Sequence, residues 1–78
     1  MEPYFLEKII AHVLDIDHRS ITDETSPMTV ANWDSFNGLL LVTELEKNFN
    51  VSFDIEEVAH VKNVGDIKRV LQIHGINV

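Results

Sequence analysis

Ser35 is the residue in this chain placed best to do chemistry, and its value lies in its neighbours. It stands in Asn32-Trp33-Asp34-Ser35-Phe36-Asn37-Gly38-Leu39-Leu40-Leu41-Val42-Thr43-Glu44-Leu45, at the first turn of a strongly apolar helical pattern. Asp34 is a good N-cap, because its carboxylate can accept an N–H from the first turn. The helix dipole then puts partial positive charge around the Ser35 hydroxyl. A phosphate ester on that oxygen would meet backbone N–H groups that favour an anion. A bare Asp-Ser pair is equally well explained as a cap and a first-turn serine, so the surrounding chain has to decide.

Other chemistry finds little support. Asp15-Ile16-Asp17-His18-Arg19-Ser20-Ile21 fails as a calcium loop: Arg19 takes the third ligand position, Ser20 the glycine position and Ser26 the twelfth. His12, His18, His60 and His74 lack metal-ligand spacing. Ser35 has no glycine-flanked elbow and no nearby histidine, so a hydrolase triad is not indicated. No Gly-rich phosphate loop occurs. The expectation is a protein with no catalytic residues and no metal.

The elements that would position Ser35 follow from periodicity. A first helix is expected over residues 3–16, with Pro3 at its first position and Leu6, Ile9, Ile10, Val13 and Leu14 on one face. Residues 17–33 have no sustained period and read as a long loop, anchored by Ile21, by Met28 or Val30, and by Trp33, with Ser20 and Asp23 able to cap a short turn. A second helix runs from Ser35 to about residue 50. It turns Leu41, Val42, Leu45 and Phe49 inward, with Gly38 among them, and leaves Phe36, Leu40, Thr43 and Lys47 opposite, Leu39 at the flank. Phe36 and Leu40 are therefore apolar where a lone domain should be polar, which marks either a contact surface or a face covered by the rest of the chain. Asp54 can cap a short third helix bearing Glu56 and Glu57. Asn63, with Asp66 three positions on, starts a fourth built on Val64, Ile67, Val70 and Leu71, with Gly75 as C-cap.

With 78 residues and no cysteine, the chain reads as one domain, 1–78, with no disulfide or thiolate metal site. The fold class expected is all-α: a small four-helix bundle with a long first loop and a short third helix. No basic leader and no apolar run of membrane-spanning length is seen, so a soluble, cytoplasmic monomer without a membrane role is expected. The net charge of −7 argues against nucleic acid. The middle of the chain, 34–60, is the most acidic for its length; that suits basic partners, or simply solubility.

The ordered set of residues is similar to a known family. Trp33-Asp34-Ser35-Phe36, followed by Leu41-Val42, Leu45-Glu46 and Phe49, resembles the phosphopantetheine attachment region of acyl carrier proteins. Ile21-Thr22-Asp23-Glu24-Thr25-Ser26-Pro27 before it, and Phe53, Glu56-Glu57 and Asn63-Val64-Gly65-Asp66-Ile67 after it, fit the same family. The likeness covers essentially the whole chain.

The resemblance implies that a phosphopantetheinyl transferase, using coenzyme A and Mg²⁺, attaches 4'-phosphopantetheine to Ser35, with Asp34 supporting attachment as well as capping the helix. The arm's thiol would carry acyl intermediates as thioesters, the only thiol in a chain without cysteine. Leu45, Phe53, Val58 and Val61 are placed to line an acyl cleft between the second and third helices. Acyl-activating and acyl-transferring synthase enzymes of fatty-acid, polyketide or related biosynthesis would dock near Ser35, on Phe36, Leu39, Leu40, Thr43, Glu44 and Glu57.

Two departures stand out. Phe36 replaces the leucine usual after the serine. Asn37, Gly38, Leu39 and Leu40 occupy turns where acidic recognition helices carry acids. Alternative readings are a stand-alone peptidyl or aminoacyl carrier of nonribosomal peptide synthesis, and an unmodified helical interaction module in which Ser35 is only part of the cap.

Overall fold

Four α-helices in one layered bundle account for the apolar pattern. The computed structural model describes residues 2–78. The helices are α1 (Phe5–Leu14), α2 (Ser35–Phe49), α3 (Ile55–Ala59) and α4 (Val64–Ile73), with one 3₁₀ turn at His18–Ser20. Among the described residues there is no strand. The all-α bundle with a long first loop and a short third helix is therefore the observed fold.

α1 buries Leu6, Ile10, Ala11 and Leu14, residues that recur at helical spacing, while Ile9 and Val13 are half-buried beside them. It starts two residues later than the sequence suggested. Tyr4 adopts a left-handed conformation (φ 62°), which interrupts helical geometry, so Pro3 belongs to the preceding turn and not to the first helical position. Phe5 opens the helix instead, packed edge-on against Phe49 of α2 with ring centroids 5.4 Å apart. The far end stops at Asp15, whose left-handed backbone (φ 56°) returns its N–H to Ala11.

The long loop is pinned rather than free. Val30 is half-buried against the core, whereas Met28 is 96% exposed, so of the two candidate anchors Val30 serves. Nor do Ser20 and Asp23 cap a turn together. Asp17 caps the 3₁₀ turn, accepting from the Arg19 N–H, and the Arg19 guanidinium holds its carboxyl down to about 2. Ser20 instead donates to the Asp17 carbonyl. Asp23 turns towards α4: its carbonyl accepts from the Gly65 N–H at 2.9 Å, and its carboxylate pairs with Lys68 at 2.7 Å. A Cβ on Gly65 would stand 3.3 Å from the Asp23 carbonyl and 3.2 Å from the Asn63 side-chain oxygen, so a larger residue would push these neighbours by a few tenths of an ångström. Buried Thr25 adds an adjacent bond, its carbonyl accepting from Val64.

The core gathers Leu6, Ile10 and Leu14 of α1, Trp33 of the loop, Leu41, Leu45 and Phe49 of α2, and Val64, Ile67 and Leu71 of α4. α3 contributes no fully buried residue. It is held by its cap and by polar ties, as a five-residue helix must be. Gly75, at φ 86°, follows α4 immediately after His74, which occupies the C-cap position expected of Gly75.

Candidate functional site at the start of the second helix

The helix N-terminus that carries Ser35 is built by three polar side chains. Asp34 is extended and its carboxylate accepts from the Asn37 N–H at 2.9 Å, as the sequence indicated. Asn37 turns its side-chain amide back to donate to the Asn32 carbonyl at 2.8 Å. Asn32 in turn donates to the Leu14 carbonyl at 2.9 Å, which ties this end of α2 to the orphan carbonyls at the end of α1. Sequence reading missed Asn32 and Asn37 as positioning residues. The only hint was two amides five residues apart around a cap.

Ser35 is exposed at the first position of α2. Among the described residues, nothing accepts from the N–H groups of Ser35 or Phe36, and the Ser35 hydroxyl has no protein partner. An open hydroxyl thus lies at the positive end of a 15-residue helix, beside two unpaired donors. This arrangement fits an anionic phosphodiester on Ser35.

Ser35 also borders an open groove of about 370 Å³ between α2 and the α3–α4 side. Leu45, Phe53, Val58 and Val61, the four expected cleft residues, all line it. Trp33, Gly38, Leu39, Leu41, Val42, Glu57, Ile67 and Val70 complete it. The walls are mainly hydrocarbon, so the groove suits an apolar chain. The connection that forms one rim is fixed by Glu46, whose carboxylate accepts from the Phe53 N–H at 2.8 Å.

The expected docking residues separate into two groups. Phe36, Leu39 and Leu40 are 69%, 67% and 42% exposed, so the fold leaves the first two largely open and Leu40 partly so. Thr43 is exposed on the same helix and donates its hydroxyl to the Leu39 carbonyl, while Glu44 is half-buried. Glu57 lies across the groove and its carboxylate is already engaged. It accepts from the Asp54 N–H at 3.1 Å, completing a capping box, and from His74 at 2.9 Å. The His74 hydrogen bond, with the Asp54 N–H, holds the Glu57 carboxyl below the usual range. His74 also packs edge-on against Phe53, centroids 5.4 Å apart.

This bundle, with an open serine at a helix start and an apolar groove beside it, has the form of a carrier for a tethered group. Residues 5–71 match the family described as "Phosphopantetheine attachment site". The chain is 31% identical over 70 residues to the acyl carrier protein of Brachyspira hyodysenteriae, covering 88% of this chain and 90% of that one. It is 27% identical over 67 residues to the acyl carrier protein of Helicobacter pylori, covering 86% of each. Among solved structures, a putative acyl carrier protein from Mycobacterium tuberculosis superposes with a TM-score of 0.79 at 26% identity, covering 88% of this chain and 92% of that one. The chain belongs to the acyl carrier protein family: it is a carrier with covalently attached phosphopantetheine, not an enzyme. As a carrier it works with a phosphopantetheinyl transferase and with synthase enzymes in general. Among the described residues no helix is long and apolar enough to cross a membrane.

Proposed function

We propose that Ser35 is the attachment residue and that residues 1–78 act as one carrier domain, presenting acyl intermediates to the enzymes of a fatty-acid, polyketide or related pathway. The observation that carries this reading is the open Ser35 hydroxyl, set at the positive end of α2 and on the edge of an apolar groove. In the loading step the Ser35 oxygen forms a new bond to the phosphorus next to pantetheine. The pyrophosphate bond of coenzyme A breaks, and the nucleotide part leaves. The serine proton passes to a base on the transferase.

The roles of the other residues follow from their positions. Asp34 caps α2 and supports the transferase's Mg²⁺ reaction beside Ser35. The free N–H groups of Ser35 and Phe36 offset the phosphodiester charge. When bound, the arm supplies the thiol that holds an acyl group as a thioester. Leu45, Phe53, Val58 and Val61 shield that group from water. Phe36, Leu39, Leu40 and Thr43 form the docking face, with Glu44 and Glu57 at its margins.

That face has no acid in its first two turns, so partners meet it chiefly through apolar contact, not through a strongly basic groove. This supports a specialised carrier of polyketide, aminoacyl or similar building blocks over a housekeeping fatty-acid carrier.

The test is intact mass after incubation with coenzyme A, Mg²⁺ and a broad-specificity phosphopantetheinyl transferase. The parent is expected to gain one phosphopantetheine and Ser35→Ala none. A gain in Ser35→Ala would move the attachment elsewhere.

A further inference from the structure

Trp33 carries a polar group that folding leaves unused. The side chain is only 8% exposed and belongs to the core cluster, yet it also lines the groove that Ser35 borders. Among the described residues nothing accepts a hydrogen bond from its indole nitrogen, whereas no fully inaccessible side-chain nitrogen or oxygen goes without a partner. The Nε1–H is therefore not fully sealed from solvent, on a side chain that lines the groove. A buried indole normally finds an acceptor within the protein.

Gly38 explains how the N–H stays reachable. It sits one helical turn after Ser35 and lines the same groove. A Cβ at Gly38 would stand 3.7 Å from Nε1 and 3.9 Å from Cδ1, so the nitrogen edge of the indole faces the bare side of the helix. A larger side chain there would stand over the donor. The rest of the groove wall is mainly hydrocarbon, which leaves this N–H as a rare directional group in an apolar slot.

We propose that the Trp33 indole N–H donates to a carbonyl oxygen of the group tethered on Ser35, seating it in the groove, with Gly38 as the opening that admits it. The proposal rests on the Ser35 reading. A tethered carbonyl is present at high effective concentration, and in a partly water-excluded slot such a bond is stronger than in water. Trp33 is then a positioning residue that favours a loaded arm folded onto the protein over one swinging free. The acceptor is either an amide carbonyl of the arm itself or the carbonyl of its thioester cargo.

Trp33 is the only tryptophan, so one indole N–H signal reports the contact without ambiguity. The experiment records that proton and nitrogen by NMR, with the proton's solvent exchange rate, in three forms verified by intact mass: unmodified, loaded from coenzyme A, and loaded from octanoyl-coenzyme A. A downfield shift with several-fold slower exchange is expected on loading. If the arm alone produces it, the acceptor is an amide of the arm; if only the octanoyl form does, the acceptor is the thioester carbonyl.

In Gly38→Leu molecules that intact mass shows to be loaded, the change should be suppressed. A full change in a folded Gly38→Leu protein would show that the indole senses something other than a carbonyl, and would overturn the proposal. So would an unchanged signal and exchange rate in both loaded forms of the parent, with the Ser35 reading left standing. Absence of any mass gain would instead sink the Ser35 reading and this inference with it.

Discussion

α2 and α4 are built alike on the inside and differently on the outside. Each starts with an Asx side chain accepting from the N–H three residues on, Asp34 from Asn37 and Asn63 from Asp66. Each buries three residues at helical spacing, Leu41, Leu45 and Phe49 in one, Val64, Ile67 and Leu71 in the other. The outward side of α4 is then mainly polar, with Lys68, Arg69 and Gln72, and its one exposed large apolar residue, Ile73, stands at the last position of the helix. Lys68 and Arg69 are tied to Asp23 and Asp66. The outward side of α2 carries Phe36, Leu39 and Leu40 exposed beside Ser35. On α4 the exposed apolar surface is confined to Ile73 at the helix end, whereas on α2 three such residues cluster in the first two turns. The proposed docking face would account for all three.

Core substitutions should have the largest effect, and they should not distinguish the helices. Leu71→Ala and Leu41→Ala each leave a cavity where a nearly inaccessible leucine stood, and each is expected to cost about 2–5 kcal/mol in chemical denaturation. A much smaller loss at Leu41 would mean that α2 is held by its outer face as well, which would undo the contrast. Next comes the outer face itself. Leu40→Asp should leave stability within about 0.5 kcal/mol. Its transfer kcat/KM with the cognate partner enzyme should fall roughly tenfold or more, as for loss of a buried anchor. Unchanged transfer would remove the apolar docking surface from the account.

The caps should give smaller, matched losses. Asp34→Ala and Asn63→Ala are each expected to cost about 1 kcal/mol. Asn32→Ala should cost about as much, because it takes the side-chain donor from the Leu14 carbonyl, although the backbone carbonyl that accepts from Asn37 remains. Only the α2 changes should also slow loading of Ser35, measured as the rate of mass gain.

The parts of this picture that sequence could reach are those governed by near neighbours. Asp34, Asp54 and Asn63 are legible because a cap acts within three residues. The inward faces are legible because burial repeats at the helical period. The cleft residues Leu45, Phe53, Val58 and Val61 came from the family resemblance, and they do share one groove. What escaped was set by distant contacts. Met28 and Val30 are equivalent in an aperiodic loop until the core chooses Val30. The start of α1 depends on the left-handed Tyr4 and on Phe5 meeting Phe49. Asn32 finds its acceptor 18 residues away, and Glu57 finds His74 at a distance of 17. The orientation of the Trp33 N–H belongs to this second class: only packing shows which edge of the ring faces Gly38.

Acid sharpens the comparison by acting on the α3–α4 side of the groove. The Glu57 carboxyl is held below its ordinary 4.5 by His74 and the Asp54 N–H. The Asp66 carboxyl is held below 3.8 by the Lys62 N–H and then Arg69. A depressed carboxyl adds stability that is present above its unfolded pKa and is lost as pH falls through its lower folded value. Both contributions should therefore be intact at neutral pH, that of Glu57 fading below about pH 4.5 and that of Asp66 below about pH 3.8. Amide-exchange protection in α3 and the start of α4 should drop before that of α2 as the solution is acidified. Glu57→Gln should remove the α3 part of that difference.

The smallest effect concerns Gly38, the one place where the inner face of α2 gives up packing. Alanine there would make ordinary van der Waals contact with Trp33 at 3.7 Å, and glycine in a helix interior costs up to about 1 kcal/mol relative to alanine. Gly38→Ala is therefore expected to stabilise the fold by a few tenths to about 1 kcal/mol in denaturant titration. The residue that folding alone would prefer is alanine, as at buried Ala11 of α1. A gain in stability at Gly38, together with a weaker indole response on loading, would locate at one position the conflict between packing α2 and leaving room for what Ser35 carries. A loss of stability would show instead that the bare helix surface is needed for Trp33 to pack at all.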